Sequence, residues 1–218
     1  MASHELRTPL NSILGFSEIL ATELYGPLGT PQYKEYAEII RDSGHKLLKL
    51  VNQVLEIARL EGKAAEWDLR PEPLAPAVEE VLKGFAEELA GRQVSALTAA
   101  DLPPVLADAR GLRTVLSGLI HNAIVFSPPG GVVRIAARAA DGAVEIAISN
   151  GGEGLDPADL PRLLKPFERG ENARDRKDHG AGLGLPICAL TCHAMGGRLT
   201  LRSAPGEGVT ALVRLPGA

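Results

Sequence analysis

The chain has 218 residues, of which 45% are apolar and 23% charged, with a formal net charge of −4. That is the balance of a folded globular chain of one large or two small domains. It argues against a basic, phosphate-neutralising nucleic-acid binder, and no apolar run approaches the roughly 20 residues of a membrane-crossing helix. No basic-then-apolar leader opens the chain. The expectation is a cytoplasmic protein, with neither nucleic acid nor membrane as a partner of this segment.

Leu6, Leu10, Ile13, Phe16 (or Ser17) and Leu20 recur every three or four residues and predict a helix from about Ser3 to Leu24. Pro9 falls inside it and lacks an amide donor, so a bend is expected there. Residues 25–31 form a turn punctuated by Gly and Pro. A second helix is expected from about Gln32 to Leu60, with Tyr36, Ile40, Leu47, Val51, Val54 and Ala58 on one buried face. A two-helix hairpin has too little core alone, so two copies should pair into a four-helix bundle. After Pro71 the pattern changes. Strands are expected near residues 94–98, 132–138, 144–149, 198–203 and 209–215, and helices near 74–89, 110–126, 157–165 and 186–195. The mixture lacks regular βαβ alternation, which makes the fold class α+β, a sheet with helices on one face. The expected organisation is a hairpin over residues 1–62, a linker over 63–70 and a second domain over 71–218.

Cys188 and Cys192 are the only cysteines, four apart on an expected helix. A reduced, buried pair is the favoured reading; a metal site completed by His193 is the alternative, and it lacks a fourth ligand nearby.

The residues that carry chemistry come in order. His4 lies on the opening turn of the first helix, followed by Glu5, Thr8 and Pro9. A neutral imidazole offers a lone pair near pH 7, and a neighbouring carboxylate can hold the other ring nitrogen's proton. Thr8, one turn on, shares the face of His4 and could position a water for the reverse reaction. Next, His121-Asn122-Ala123 sits on a helix that runs into Phe126-Ser127-Pro128. An asparagine projecting there can give Mg²⁺ a neutral oxygen. Then Asn150, Gly152 and Gly154 follow a strand directly, where glycines admit a flat ligand close to the backbone and Asn150 can bond a base edge. Finally Gly180, Gly182, Leu183, Gly184 and Leu185 open a helix, presenting free amides and the positive helix end to phosphate. The spacing is neither the dinucleotide fingerprint nor a P-loop, since no Gly-Lys-Ser/Thr follows. The polar stretch between these loops, Arg169 to His179, reads as a lid, with Arg174, Arg176 and Lys177 able to meet phosphates.

In this order and spacing, the motifs resemble those of the sensor histidine kinases of two-component systems, over nearly the whole chain. His4 to Leu10 resembles the H box, Asn122 the N box, Asn150 to Gly154 the G1 box, Leu164 to Phe167 the F box and Gly180 to Leu185 the G2 box. The segments Gly15-Phe16-Ser17-Glu18 and Tyr25-Gly26-Pro27-Leu28-Gly29 look most like alphaproteobacterial cell-cycle kinases. The resemblance implies a dimeric histidine-phosphotransfer hairpin followed by an α/β-sandwich Bergerat (GHKL) ATP-binding domain. It implies ATP and Mg²⁺ as cofactors, and transfer of the γ-phosphoryl group to His4 and then to an aspartate on a response-regulator receiver domain. Glu5 would activate His4, Thr8 would assist phosphatase action, and Asn122 would hold Mg²⁺. The nucleotide would rest on Asn122, Asn150, Gly152, Gly154, Gly180, Gly182, Leu183, Gly184 and Leu185. The family's first helix begins well before its histidine, so the chain reads as a core cut from a longer sensor, with its dimer weakened.

Four positions depart from the family pattern: Asn150 for Asp, Val125 for a cation, Gly118 for the first Asn of the N box and Leu164 for Phe. Each weakens the expected hold on nucleotide. They favour as runner-up a degenerate kinase that binds a regulator or another kinase. A different ATPase of the same superfold is the third reading, and the surroundings of His4 argue against it.

Overall fold

A computed structural model describes residues 2–62, 66–98, 102–170 and 181–218; the side chains of residues 2–9, 97 and 98 are outside that description. The fold is α+β and divides into two compact units, Met1–Ala58 and Arg59–Ala218.

The first unit is a helical hairpin of α1 (Ala2–Ala21) and α2 (Pro31–Glu61). The backbone of α1 stays helical through Pro9. The two helices meet through small groups. Ser17, Ala21 and Ala37 are buried, and a Cβ on Gly44 would stand 2.9 Å from the Leu14 side chain. Ser17 Oγ turns back to donate to the Leu14 carbonyl at 2.9 Å, which lets a polar residue sit in this contact. Arg41–Glu18 (3.5 Å) ties the helices at the surface, and Lys34–Glu23 (3.6 Å) ties α2 to the turn between them. In the single chain much of the expected apolar stripe faces outward. Leu10 is buried, but Ile13, Phe16 and Leu20 of α1 and Tyr36, Ile40, Leu47 and Val54 of α2 are between 41% and 68% exposed. A close approach of two helices favours small side chains where the backbones come nearest, beside Leu10 and Leu14.

The second unit holds β1 (Arg70–Glu72), α3 (Leu74–Gly84), β2 (Gln93–Thr98), β3 (Val105–Ala107), α4 (Ala109–Phe126), β4 (Val132–Ala140) and β5 (Ala143–Asn150). After a 3-10 turn (Arg162–Leu164) come α5 (Gly184–Ala194), β6 (Arg198–Ser203) and β7 (Val209–Pro216). Five strands form one sheet in the order β2-β4-β5-β7-β6, antiparallel except for the β2–β4 pair, and β1 pairs with β3 in a separate ribbon. Alternation sets the core: Val133, Ile135, Val144, Ile146, Ile148, Val213 and Leu215 point inward from the sheet. They meet Leu112, Val115, Leu116, Leu119 and Ile120 of α4, with α3 and α5 beside it.

Three expectations change. Residues 85–91 turn after α3 instead of continuing it, Pro157–Lys165 is a turn with one 3-10 segment and no α-helix, and β1 and β3 were not foreseen.

Candidate active site

Two packed helices run in opposite directions beneath the site. Gly111 of α4 faces α5 near its end, where an added Cβ would stand 3.0 Å from Met195 Sδ; Gly118, two turns on, faces Cys188, with 2.6 Å to Sγ. Moving forward along α4 therefore means moving back along α5. One more turn brings Asn122 on α4 level with Gly184, the first residue of α5.

The end of α4 is tied to the end of β5. Asn150, 9% exposed, donates from Nδ2 to the carbonyls of Phe126 (3.2 Å) and Gly151 (2.7 Å). Two carbonyl partners fix which end of the amide carries the hydrogens, and Oδ1 remains as an acceptor. Gly154, at φ +72°, lies so close to the β6–β7 turn that a Cβ would stand 1.9 Å from the Ala204 carbonyl oxygen. That turn also donates from the Gly206 amide to the Glu153 carbonyl at 2.6 Å, and Ser203 Oγ accepts from the Leu155 amide at 2.8 Å. Gly152, at φ +144°, faces the Phe126 carbonyl.

The loop before α5 is held from the other side. The Phe167 amide donates to the Gly182 carbonyl at 3.1 Å, and Phe167 adopts φ +65° with its ring exposed. Leu183 is buried and anchors the start of α5, whose N-cap has no side-chain hydrogen bond. Space is open around Gly184, and Leu185 packs partly on the core. The first-turn amides of α5 have no carbonyl partner within the helix, so they present donors and the positive helix end to an anion. Pro186 gives up only an amide that the helix leaves unused.

Asn122, Asn150, Gly152, Gly154, Gly182, Leu183, Gly184 and Leu185 thus gather at one end of the sheet. Asn122 is half-buried, and its side chain has no hydrogen bond among the described residues. A single amide oxygen fits Mg²⁺, which takes its remaining ligands from phosphate and water. His4, Glu5 and Thr8 lie on the first turns of α1, and their side chains are outside the description. Gly180 and the lid residues Arg174, Arg176 and Lys177 are outside it as well. A shallow cavity lined by Pro103, Asp141 and Gly217 lies at the other end of β5 from Asn150 and belongs to no motif.

The cysteines lie in the core. Burial pushes the Cys188 thiol up to about 12 and raises that of Cys192 too, so neither offers a thiolate near neutral pH. His193 is exposed while both cysteines are buried, and the described residues hold no cluster of metal-ligand type.

Gly118 has a packing reason that motif reading missed. Two glycines seven apart on α4, Gly111 and Gly118, mark where α5 comes close, and that spacing was the available signal. Gly118→Asn is expected to lower stability by about 1–3 kcal/mol through overpacking against Cys188. Urea unfolding checks this, and Cys188→Ala in the same chain should recover part of the loss.

Two known families match the chain. A model described as histidine kinase-, DNA gyrase B-, and HSP90-like ATPase matches residues 107–218, and one described as His Kinase A (phospho-acceptor) domain matches residues 1–63. The histidine protein kinase DivJ of Caulobacter vibrioides is 39% identical over 220 residues, covering 98% of this chain and 36% of that protein. The cell-division control histidine kinase PdhS of Brucella suis is 32% identical over 226 residues, covering 98% and 22%. Full-length ShkA, solved in complex with AMPPNP, superposes with a TM-score of 0.84 at 32% identity, over 100% of this chain and 45% of that one. The chain spans between 22% and 36% of the length of these curated relatives.

Proposed function

The chain belongs to the histidine kinases, within the histidine kinase-, DNA gyrase B- and HSP90-like ATPases, and we propose that it moves the γ-phosphoryl group of ATP to His4 and on to an aspartate of a response-regulator receiver domain. The observation that supports this best is the antiparallel register of α4 and α5, which sets Asn122 beside the open N-terminus of α5.

In this reading Oδ1 of Asn150 accepts from the amino group of adenine, and the loop through Gly152 and Gly154 lets the base lie against backbone. The amides of Gly182, Leu183, Gly184 and Leu185, with Gly180 before them, face the phosphates. Asn122 holds Mg²⁺, which when bound neutralises phosphate charge. A ring nitrogen of His4 attacks the γ-phosphorus; the N–P bond forms, the bridging P–O bond breaks and ADP leaves. Glu5 accepts a hydrogen bond from the N–H of the other ring nitrogen, orients the ring and stabilises the positive charge that develops on it. Thr8 positions water when the regulator is dephosphorylated. The hairpin spans residues 1–62, the linker 63–70 and the ATP-binding domain 71–218. The outward apolar stripe of Ile13, Phe16 and Leu20 with Ile40 and Leu47 supports a homodimer joined as a four-helix bundle. No helix among the described residues is long and apolar enough to cross a membrane, and cytoplasmic signalling in cell-cycle control is the setting we propose.

Incubation with γ-labelled ATP and Mg²⁺ tests the reading. Label that resists alkali and is lost in acid, as a phosphoramidate is, supports it. A chain that binds ATP and takes no label is instead a regulator-binding module, a second reading favoured by Val125 and Gly118 standing where the family pattern has a cation and an asparagine.

A further inference from the structure

The face of the five-stranded sheet turned away from α3, α4 and α5 carries an ordered charge pattern. Strand register aligns Arg198, Arg214, Glu145 and Arg138 in one row across β6, β7, β5 and β4. A second row contains Arg202, Thr210, Ser149 and Arg134. Between them runs a row of Thr200, Leu212, Ala147 and Ala136, which β2 continues with Leu97. All five arginines are exposed. Glu145 is the single carboxylate in the three rows, and it is already engaged, at 2.6 Å with Arg138 and 3.8 Å with Arg214. Arg134, Arg198 and Arg202 have no ion pair among the described residues. Asp141 and Glu207 lie in the turns beyond the strand ends, outside the rows. A chain of net charge −4 thus concentrates positive charge on one sheet face.

The spacing selects the partner. The arginine rows are four residues apart along each strand, about 13 Å at roughly 3.3 Å per residue. An α-helix with its side chains is about 10–12 Å across and fits between them. Across β6, β7, β5 and β4 the middle row, built of small groups and Leu212, offers a shallow channel about 14 Å long, three inter-strand steps of roughly 4.8 Å, the length of nearly three helical turns. We propose that this face docks a partner helix with a small apolar stripe and acidic residues along both flanks, each flank meeting one arginine row. Single-stranded nucleic acid is a poorer fit, because the three rows hold no aromatic side chain for stacking. A lipid surface is poorer too, because Leu212 and, on β2, Leu97 are the large apolar residues of these rows, against five arginines.

Fluorescence anisotropy with the 218-residue chain tests this. The probe is a dye-labelled synthetic helix of about three to four turns, with an Ala/Leu stripe between two lines of Glu. Binding should weaken with salt. It should also weaken at least about tenfold, equivalent to about 1.4 kcal/mol, in Arg134→Glu/Arg202→Glu and separately in Arg198→Glu. Arg110→Glu, the same charge change on exposed α4, should leave binding unaltered. Thermal melting of each variant should match the parent chain, since the reversed arginines are exposed and unpaired. A proline-interrupted probe of the same composition binding equally well would overturn the proposal. So would indifference to reversal of either row, or displacement of the probe by duplex DNA or phosphatidylserine vesicles at matched charge.

Discussion

In His4→Gln, label from γ-labelled ATP is expected to fall to background, a loss of at least about 10³-fold of the kind seen when a nucleophile is removed, while ATP affinity stays within about twofold, less than about 0.5 kcal/mol. Glutamine preserves helix propensity at this position and lacks a ring nitrogen with a free lone pair. The chain has four other histidines, and three of them lie on described helices: His45 on α2, His121 on α4 and His193 on α5. Those three are exposed, so accessibility to a phosphate donor does not distinguish them from an acceptor. The carboxylate that immediately follows His4 does: none of the three is followed by Asp or Glu. Labelling of wild type and variant at equal ATP occupancy, with titration of both, separates acceptor loss from loss of nucleotide. Label persisting in the variant would move the acceptor to another residue and remove the reason for assigning roles to Glu5 and Thr8.

Element type was legible where periodicity ran long. The two helices of the hairpin, α4 and the strands β4 to β7 follow from spacings of three to four and of two. What escaped depends on contacts far apart in sequence. β1 and β3 are three residues each, too short for alternation to register, and exist because they pair with one another. Phe85 and Leu89 continue the apolar period of α3, yet the backbone turns at Gly84, and those side chains still reach the core from a turn. In the hairpin the period was legible, and the small residues at the contact between the two helices were not. Leu10 and Ile57 are buried as their hydrophobicity suggests, and Ser17, Ala21, Ala37 and Gly44 join them for a reason that packing distance supplies and hydrophobicity does not. The site divides in the same way. Its glycines announce themselves by type, and the structure adds steric necessity at Gly154 and Gly182, where a Cβ would strike backbone carbonyl oxygens. The bond between Phe167 and Gly182 joins two motifs that sequence reading treated separately.

Asn150→Asp restores the residue usual in the family and is nevertheless expected to destabilise this chain by about 2–4 kcal/mol near pH 7. The Nδ2 hydrogens now satisfy two carbonyls, those of Phe126 and Gly151, at a position 9% exposed. An ionised carboxylate cannot donate to either. It would bring negative charge against two carbonyl oxygens and leave the α4–β5 tie unmade. Burial and that repulsion raise the folded-state pKa of the introduced carboxyl above its ordinary value near 4. Between ordinary and raised values the native state binds more protons than the unfolded state, so stability falls as pH rises through that window. The sign is therefore opposite to that of a salt-bridged aspartate. The deficit relative to wild type should be nearly complete at neutral pH and should shrink towards pH 4, where a protonated carboxyl donates to one of the two carbonyls. Urea unfolding of both chains at the two pH values reads the effect directly, and ATP titration should show no gain in affinity for the variant. Equal stability at neutral pH would mean that the loop through Gly151 and Gly152 rearranges without cost. The asparagine would then be a neutral replacement for the family's aspartate, and its amide would not be the tie that holds the end of β5 to the end of α4.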